Sequence, residues 1–358
     1  EPGPSLLGRG SAYLPVRELT PTELHELAPP GRRHVESVDG REVSWFDDDG
    51  AHLVTAAKQA SVLRPHGQIL RPLGRLLPGP HDVTSTVWMD GSFCSHLTQG
   101  HAALGRSLSL RPSPLGIGRV HGLRVAVDLG HGWQLLGTPS LWRSALDSAT
   151  WWYAVADRLL RVHADAPTND GRCRVSVETV AGEPVPAMVL LSLDWSGAPG
   201  RTGQVDVAGT QVDVVGTELT IYAPAGALPG TTDPDPRLLV HVTGCEVQAV
   251  GDDAALFADG TSRGEPVVTV RLSTSGSWAV ELEPLTTGPT AEHHLPSRWP
   301  GVGDVIQLAT DDPGQPVPDE AGQRAADDPG QRADAARQAG RLLARLDEIT
   351  GWYAHDAL

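Results

Sequence analysis

Residues 172–180, RCRVSVETV, and residues 187–195, AMVLLSLDW, decide the fold class of this chain. In the first, Cys173, Val175 and Val177 alternate with Arg174, Ser176 and Glu178. That period belongs to a strand with one face in a core and the other in solvent. The second is apolar at nearly every position and suits a strand covered on both faces inside a sandwich. Working outward, REVSWF (41–46), AHLVTAA (51–57), TSTVWMD (84–90), LRVAVDLG (123–130) and WWYAV (151–155) also read as strands. So do QVDVAG (204–209), TQVDVVG (210–216), ELTIYAP (218–224), RLLVHVTG (237–244), PVVTVRLS (266–273) and SWAVELEPL (277–285). Turn markers such as VDG, DDDG, TNDG, APG and ADG lie between them. Strands spaced in this way without intervening helices predict a sandwich or barrel rather than a parallel βαβ sheet. The density gives about eighteen strands, roughly twice an immunoglobulin-like domain. The expected fold is mainly β: one large antiparallel sandwich over 39–285.

Composition supports this. Only 20% of the 358 residues are charged, while Gly (40) and Pro (30) are abundant, as many turns require. A net charge of −16 argues against general affinity for nucleic acid or an anionic membrane surface. Cys94, Cys173 and Cys245 are too few and too scattered for a disulfide framework. Two of them could pair, but three separate thiols fit a reducing cytoplasm better. No apolar run approaches the ~20 residues of a membrane-spanning helix. The chain opens on Glu1 with no charged-then-apolar signal segment, which reads as a piece of a longer product.

The flanks differ from the middle. Residues 1–38 form a mixed lead-in, with a short helix expected from Thr22, Glu23 in its first turn and Pro29-Pro30 stopping it. Residues 286–333 carry DDPGQ twice, at Asp311 and Asp327, in a Pro-, Asp- and Gln-rich run that reads as a linker. In 334–358, Ala335, Ala339, Leu342, Leu346, Ile349 and Tyr353 fall on one helical face. That stripe predicts a linker helix, with GWYAHDAL as the start of a further domain.

Familiar catalytic signatures are missing: no P-loop, no GxSxG elbow and no HExxH. GIGRVHG (Gly116 to Gly122) has the wrong spacing for a dinucleotide site, and a strand follows where a helix should begin. With 44 acidic residues, sequence nominates no particular carboxylate pair. Trp151 and Trp152 adjoin in a strand, so they point to opposite faces and at least one belongs to the core. The polar cluster is DGSFCSHLTQGHAALG, which sets His96, Gln99 and His101 within six residues. Cys94, His96 and His101 are metal-ligand types, yet no fourth partner stands at motif spacing, and no metal is indicated.

Read together, WMDGSFCSHLTQGHAALGRSLSLRPSPLGIGRVHGLRV, GWQLLGTPSLW and TWWYAVADRLLRVHA resemble the N-terminal region of 1,2-β-oligoglucan phosphorylases of glycoside hydrolase family 94. They are also similar to the phosphorylase-like part of cyclic β-1,2-glucan synthases. The match runs through Gly91 to His101, Arg119 to Arg124 and Leu135 to Ser140. This resemblance implies a β-supersandwich followed by linker helices and an (α/α)6 barrel that carries the general-acid aspartate. It implies an inverting phosphorolysis in which inorganic phosphate is co-substrate and no further cofactor is needed. No catalytic residue is expected in this chain. His96, Gln99 and His101 become substrate-binding candidates on the side facing the barrel, with a role in holding sandwich to barrel equally open. Arg119 and Arg124 are expected to be structural. The implied partners are a β-glucan oligosaccharide, the chain's own barrel and a second copy, in a cytoplasmic setting. A non-catalytic carbohydrate-binding or assembly module remains the alternative, as does part of a cyclic glucan synthase.

Overall fold

The computed structural model describes residues 13–28, 31–62, 66–70, 83–99, 122–166, 172–192, 211–222, 237–257, 259–263 and 267–285, with backbone only at 96, 98 and 99. They fall in one compact unit; a second, Glu292–Ala357, lies outside the described residues, as do the expected linker and helix after residue 285.

The described residues form two antiparallel sheets. The larger runs β1 (Arg33–Val38), β2 (Arg41–Phe46), β3 (His52–Thr55), β9 (Leu141–Ser144), β10 (Ser148–Val155) and β11 (Arg158–Asp165). It continues through β12 (Cys173–Ala181), β19 (Ser277–Leu285), β16 (Arg237–Thr243), β15 (Glu218–Tyr222) and β14 (Gln211–Val215). The smaller runs β17 (Val247–Gly251), β18 (Val267–Leu272), β13 (Ala187–Ser192), β7 (Leu123–Asp128), β6 (Ser92–Gln99), β5 (Val83–Trp88) and β4 (Gly67–Leu70). A short β8 (Trp133–Leu135) pairs with β7. The large antiparallel sandwich read from sequence is therefore the fold. Local chemistry sets the hairpins. Asp39 and Gly40, both at positive φ, close the two-residue turn that pairs Val38 with Arg41. AHLVTAA is a strand only to Thr55, whose hydroxyl caps a five-residue helix, Ala56–Ala60.

Between the sheets, pairing register lines up one apolar row across the larger sheet: Trp151, Val162, Val177 and Trp278. Phe93 of the smaller sheet meets the Trp151 ring edge-on at 4.7 Å. The buried indole N–H of Trp151 donates to the Trp88 carbonyl at 2.9 Å, so its polar atom is satisfied. Burial of each such side chain stabilises by about 1.5–3 kcal/mol.

Both outer faces are partly covered as well. Residues 13–28 run as a strap: Leu14 N–H donates to Leu135 O and Arg17 N–H to Ala154 O, each at 2.8 Å. The strap ends in a helix, Pro21–Leu27, whose Thr20 and Glu23 form a capping box. Its Leu19, Leu24 and Leu27 cover Trp45, Leu53, Leu141, Trp152 and Leu159. Trp151 and Trp152 do face opposite ways, yet both are core, because the strap buries the second. On the smaller sheet, a 3-10 turn (Asp253–Leu256) and β8 help cover Ala126, Met188, Leu190 and Val267. That cover is why β13 is buried at every position.

One turn carries visible strain. Ala156, between β10 and β11, sits at φ +51°, a conformation that side chains with a Cβ disfavour. Ala156→Gly is expected to raise unfolding free energy by about 0.5–1 kcal/mol. A chemical-denaturation midpoint that fails to rise would refute it.

Candidate functional site at the sheet crossover

Three segments singled out in the sequence meet where the chain crosses from the smaller sheet to the larger. The first is the β5–β6 connection, Met89 to Gly91. Gly91 has φ +83°, and a Cβ there would stand 1.9 Å from the Leu136 carbonyl oxygen. The second is Gly122 at the start of β7, φ +117°, where a Cβ would stand 2.5 Å from Ser95 Cα. The third is the crossover from Leu135 to Ser140. Leu136 N–H donates to Val125 O at 2.8 Å, and the Tyr153 hydroxyl donates to Gly137 O at 3.0 Å. Ser140 ties four strands of chain together. Its hydroxyl donates to Arg17 O (2.7 Å) and accepts from Ala154 N–H (3.0 Å). Its backbone donates to Trp152 O and accepts from Ala56 N–H.

Buried charge lies at this crossover. Arg124 is 2% exposed and Tyr153 is fully buried. Burial holds the Asp90 carboxyl above its usual range, opposed by the nearby Arg124 charge. Burial also pushes the Tyr153 phenol well up, with Arg124 again opposing. The Arg124 guanidinium stands 5.9 Å from the Tyr13 ring centroid. A buried charge cluster contributes little net stability but penalises any packing that separates its members. Sequence reading found Arg124 and missed Asp90 and Tyr153. Asp90 was visible beside Gly91, but nothing in its spacing announced a partner 34 positions on. These residues fix the junction of the sheets, and Arg124 and Tyr153 present no surface to a dissolved ligand.

Of the substrate-binding candidates, His96 pairs in register with Thr86 and Gln99 with Val83. Their side chains, and all of His101 and Arg119, lie outside the described residues. Cys94 of the candidate metal set is fully buried. Among the described residues, no cluster of His, Cys, Asp and Glu is arranged to hold a metal ion.

A second feature is a cavity of about 290 Å³ on the outer face of the larger sheet. Register places Glu218, His241 and Glu281 in one row across β15, β16 and β19. Arg172 pairs with Glu283 at 3.1 Å and with Glu281 at 3.6 Å. These exposed ion pairs contribute at most about 1 kcal/mol each. Three carboxylates, Glu218, Glu281 and Glu283, line it against the single guanidinium of Arg172, a charge balance that disfavours phosphate.

Comparison with known proteins decides the family. Residues 29–284 match the glycoside phosphorylase supersandwich domain. This chain belongs to that family. Over 153 residues it is 31% identical to a 1,2-β-oligoglucan phosphorylase of Listeria innocua serovar 6a. That match covers 43% of this chain and 14% of the relative, so the supersandwich chain spans a small part of the relative's length. A solved polysaccharide lyase superposes over 65% of this chain and 34% of its own, at TM-score 0.32 and 12% identity. That likeness is too low to carry an argument.

Proposed function

We propose that this supersandwich serves an inverting phosphorylase of β-1,2-gluco-oligosaccharides, as a non-catalytic scaffold for an (α/α)6 barrel elsewhere in the same gene product. The observation that carries the reading is the 31% identity to a 1,2-β-oligoglucan phosphorylase, in a chain that belongs to the supersandwich family. In the proposed reaction, a phosphate oxygen attacks the anomeric carbon of the terminal glucose while an aspartic acid of the barrel protonates the departing oxygen. Phosphate is the nucleophile, so no second carboxylate is needed to activate water. The product is α-D-glucose 1-phosphate.

Within this reading, the sandwich contributes positioning. Holding reactants in line supplies a large share of such a rate, and a scaffold with a locked sheet junction suits that task. We assign His96, Gln99 and His101 to contact with sugar or barrel, on the sequence motif that contains them. A cytoplasmic setting fits the three free thiols. No described helix is long and apolar enough to cross a membrane.

The test incubates this chain and the full-length gene product with β-1,2-, β-1,3- and β-1,4-gluco-oligosaccharides, with and without phosphate. Glucose 1-phosphate is expected only from the full-length protein, only with phosphate, and chiefly from the β-1,2 series. Absence of phosphorolysis, together with glucan binding by this chain alone, would replace the scaffold with a carbohydrate-binding module.

A further inference from the structure

We propose that Cys94 and Cys173 form a cross-sheet thiol pair that an oxidant converts into a disulfide stapling the two sheets. Regular alternation along β6 would send Phe93 and Cys94 to opposite faces. The pairing of β5 with β6 breaks that alternation: between Thr86↔His96 and Trp88↔Ser92, Val87 alone stands opposite Phe93, Cys94 and Ser95. Cys94 takes φ +44° in this bulge. As a result both side chains turn toward the larger sheet. Phe93 meets Trp151, and Cys94 meets Cys173 of β12. Both thiols are fully buried, β6 and β12 touch across the gap, and the buried Ser85 hydroxyl lies beside Cys173.

The same burial governs reactivity. It pushes the Cys173 thiol well above its ordinary value, and Cys94 adds to that effect. Thiolate is the reacting form, so the closed protein resists reagents and the pair reacts while the sheets are opening or assembling. With glutathione disulfide as oxidant, one cysteine thiolate attacks a glutathione sulfur and releases one glutathione. The second cysteine then displaces the other, leaving the Cys94–Cys173 bond. Two protein thiols lose two protons and two electrons, and one glutathione disulfide becomes two glutathione thiols. The resulting link closes a long loop and constrains the unfolded chain.

The experiment unfolds the 358-residue chain and refolds it in reduced or oxidised glutathione, then titrates thiols in guanidinium. The reduced chain is expected to show all three thiols and the oxidised chain one. Peptide mapping is expected to join Cys94 to Cys173, and the melting temperature to rise by about 5–10 °C. Cys245→Ser keeps this rise and carries the test on its own if Cys94→Ser or Cys173→Ser does not fold. Three thiols surviving oxidation, a link through Cys245, or a melting temperature that fails to rise would overturn the proposal.

Discussion

Gly91→Ala is expected to cost about 3–5 kcal/mol of folding free energy, the sum of a left-handed backbone penalty and overpacking against main chain. The added methyl would stand 1.9 Å from Leu136 O, 2.7 Å from Leu136 C and 2.9 Å from Gly137 O. None of these is the yielding tip of a side chain. Leu136 is held by Val125 O, and Gly137 O by the Tyr153 hydroxyl, so the crossover has no cheap retreat. Gly40 supplies the control. It has a similar φ of +75°, but nothing within 4 Å of an added Cβ. Gly40→Ala should therefore lose only the conformational part, about 1–2 kcal/mol. Guanidinium unfolding of both variants separates the terms. Equal losses would mean that the close approach of Gly91 to the crossover carries no energy.

That comparison also explains what the motif is. Gly91, the Gly122–Arg124 pair and Ser140 come from three separate stretches of sequence, yet all act where the chain passes between sheets. Two must lack a Cβ, one places a buried charge, and one hydrogen-bonds three other segments of backbone. A small change at any of them disturbs both sheets at once. Gly91, Gly122, Arg124 and Ser140 are thus explained by the demands of the junction, without assigning these four a ligand.

Strand identity was largely legible because alternation is local. RCRVSVETV and SWAVELEPL show their buried faces residue by residue, and the structure pairs them as neighbours, Val175 with Val280. Division of the strands between two sheets was not legible, since it depends on which distant strands pair. The strap was missed for a related reason. Leu19, Leu24 and Leu27 look unremarkable until Trp152 and Trp45 are found beneath them. Likewise, Cys94 and Cys173 read as scattered because a bulge, invisible in the sequence, brings them together. The Asp90–Arg124 proximity lay equally beyond reach: burial and opposing charge are properties of the folded junction, not of either short motif.

The second large effect concerns acid. His52 lies on β3, its ring stacked on Phe46 at 4.6 Å with His66 at 6.1 Å. Burial, reinforced by His66 and Lys58 and opposed by Glu36, lowers its pKa from 6.5 to about 3. The sign follows from which state takes the proton. Above the unfolded value both states are neutral there, and His52 costs nothing. As pH falls below about 6.5 the unfolded chain binds a proton that the folded protein refuses until about pH 3, so stability drops by about 1.4 kcal/mol per pH unit. From about pH 7 to about pH 5 the loss from His52 alone should approach about 2 kcal/mol. His163, also lowered by burial, acts in the same direction. Asp90, raised by burial, acts in the opposite one, gaining stability as it is protonated. Glu23 and Glu36, both lowered, matter only further down, below the ordinary carboxyl range. His52→Phe keeps an aromatic ring against Phe46 and removes the titration. Its unfolding free energy should therefore fall less steeply across this window than that of the parent, by about 2 kcal/mol in total. Parallel slopes for the two proteins would show that His52 accepts a proton in the folded state, and that its burial does not govern acid stability.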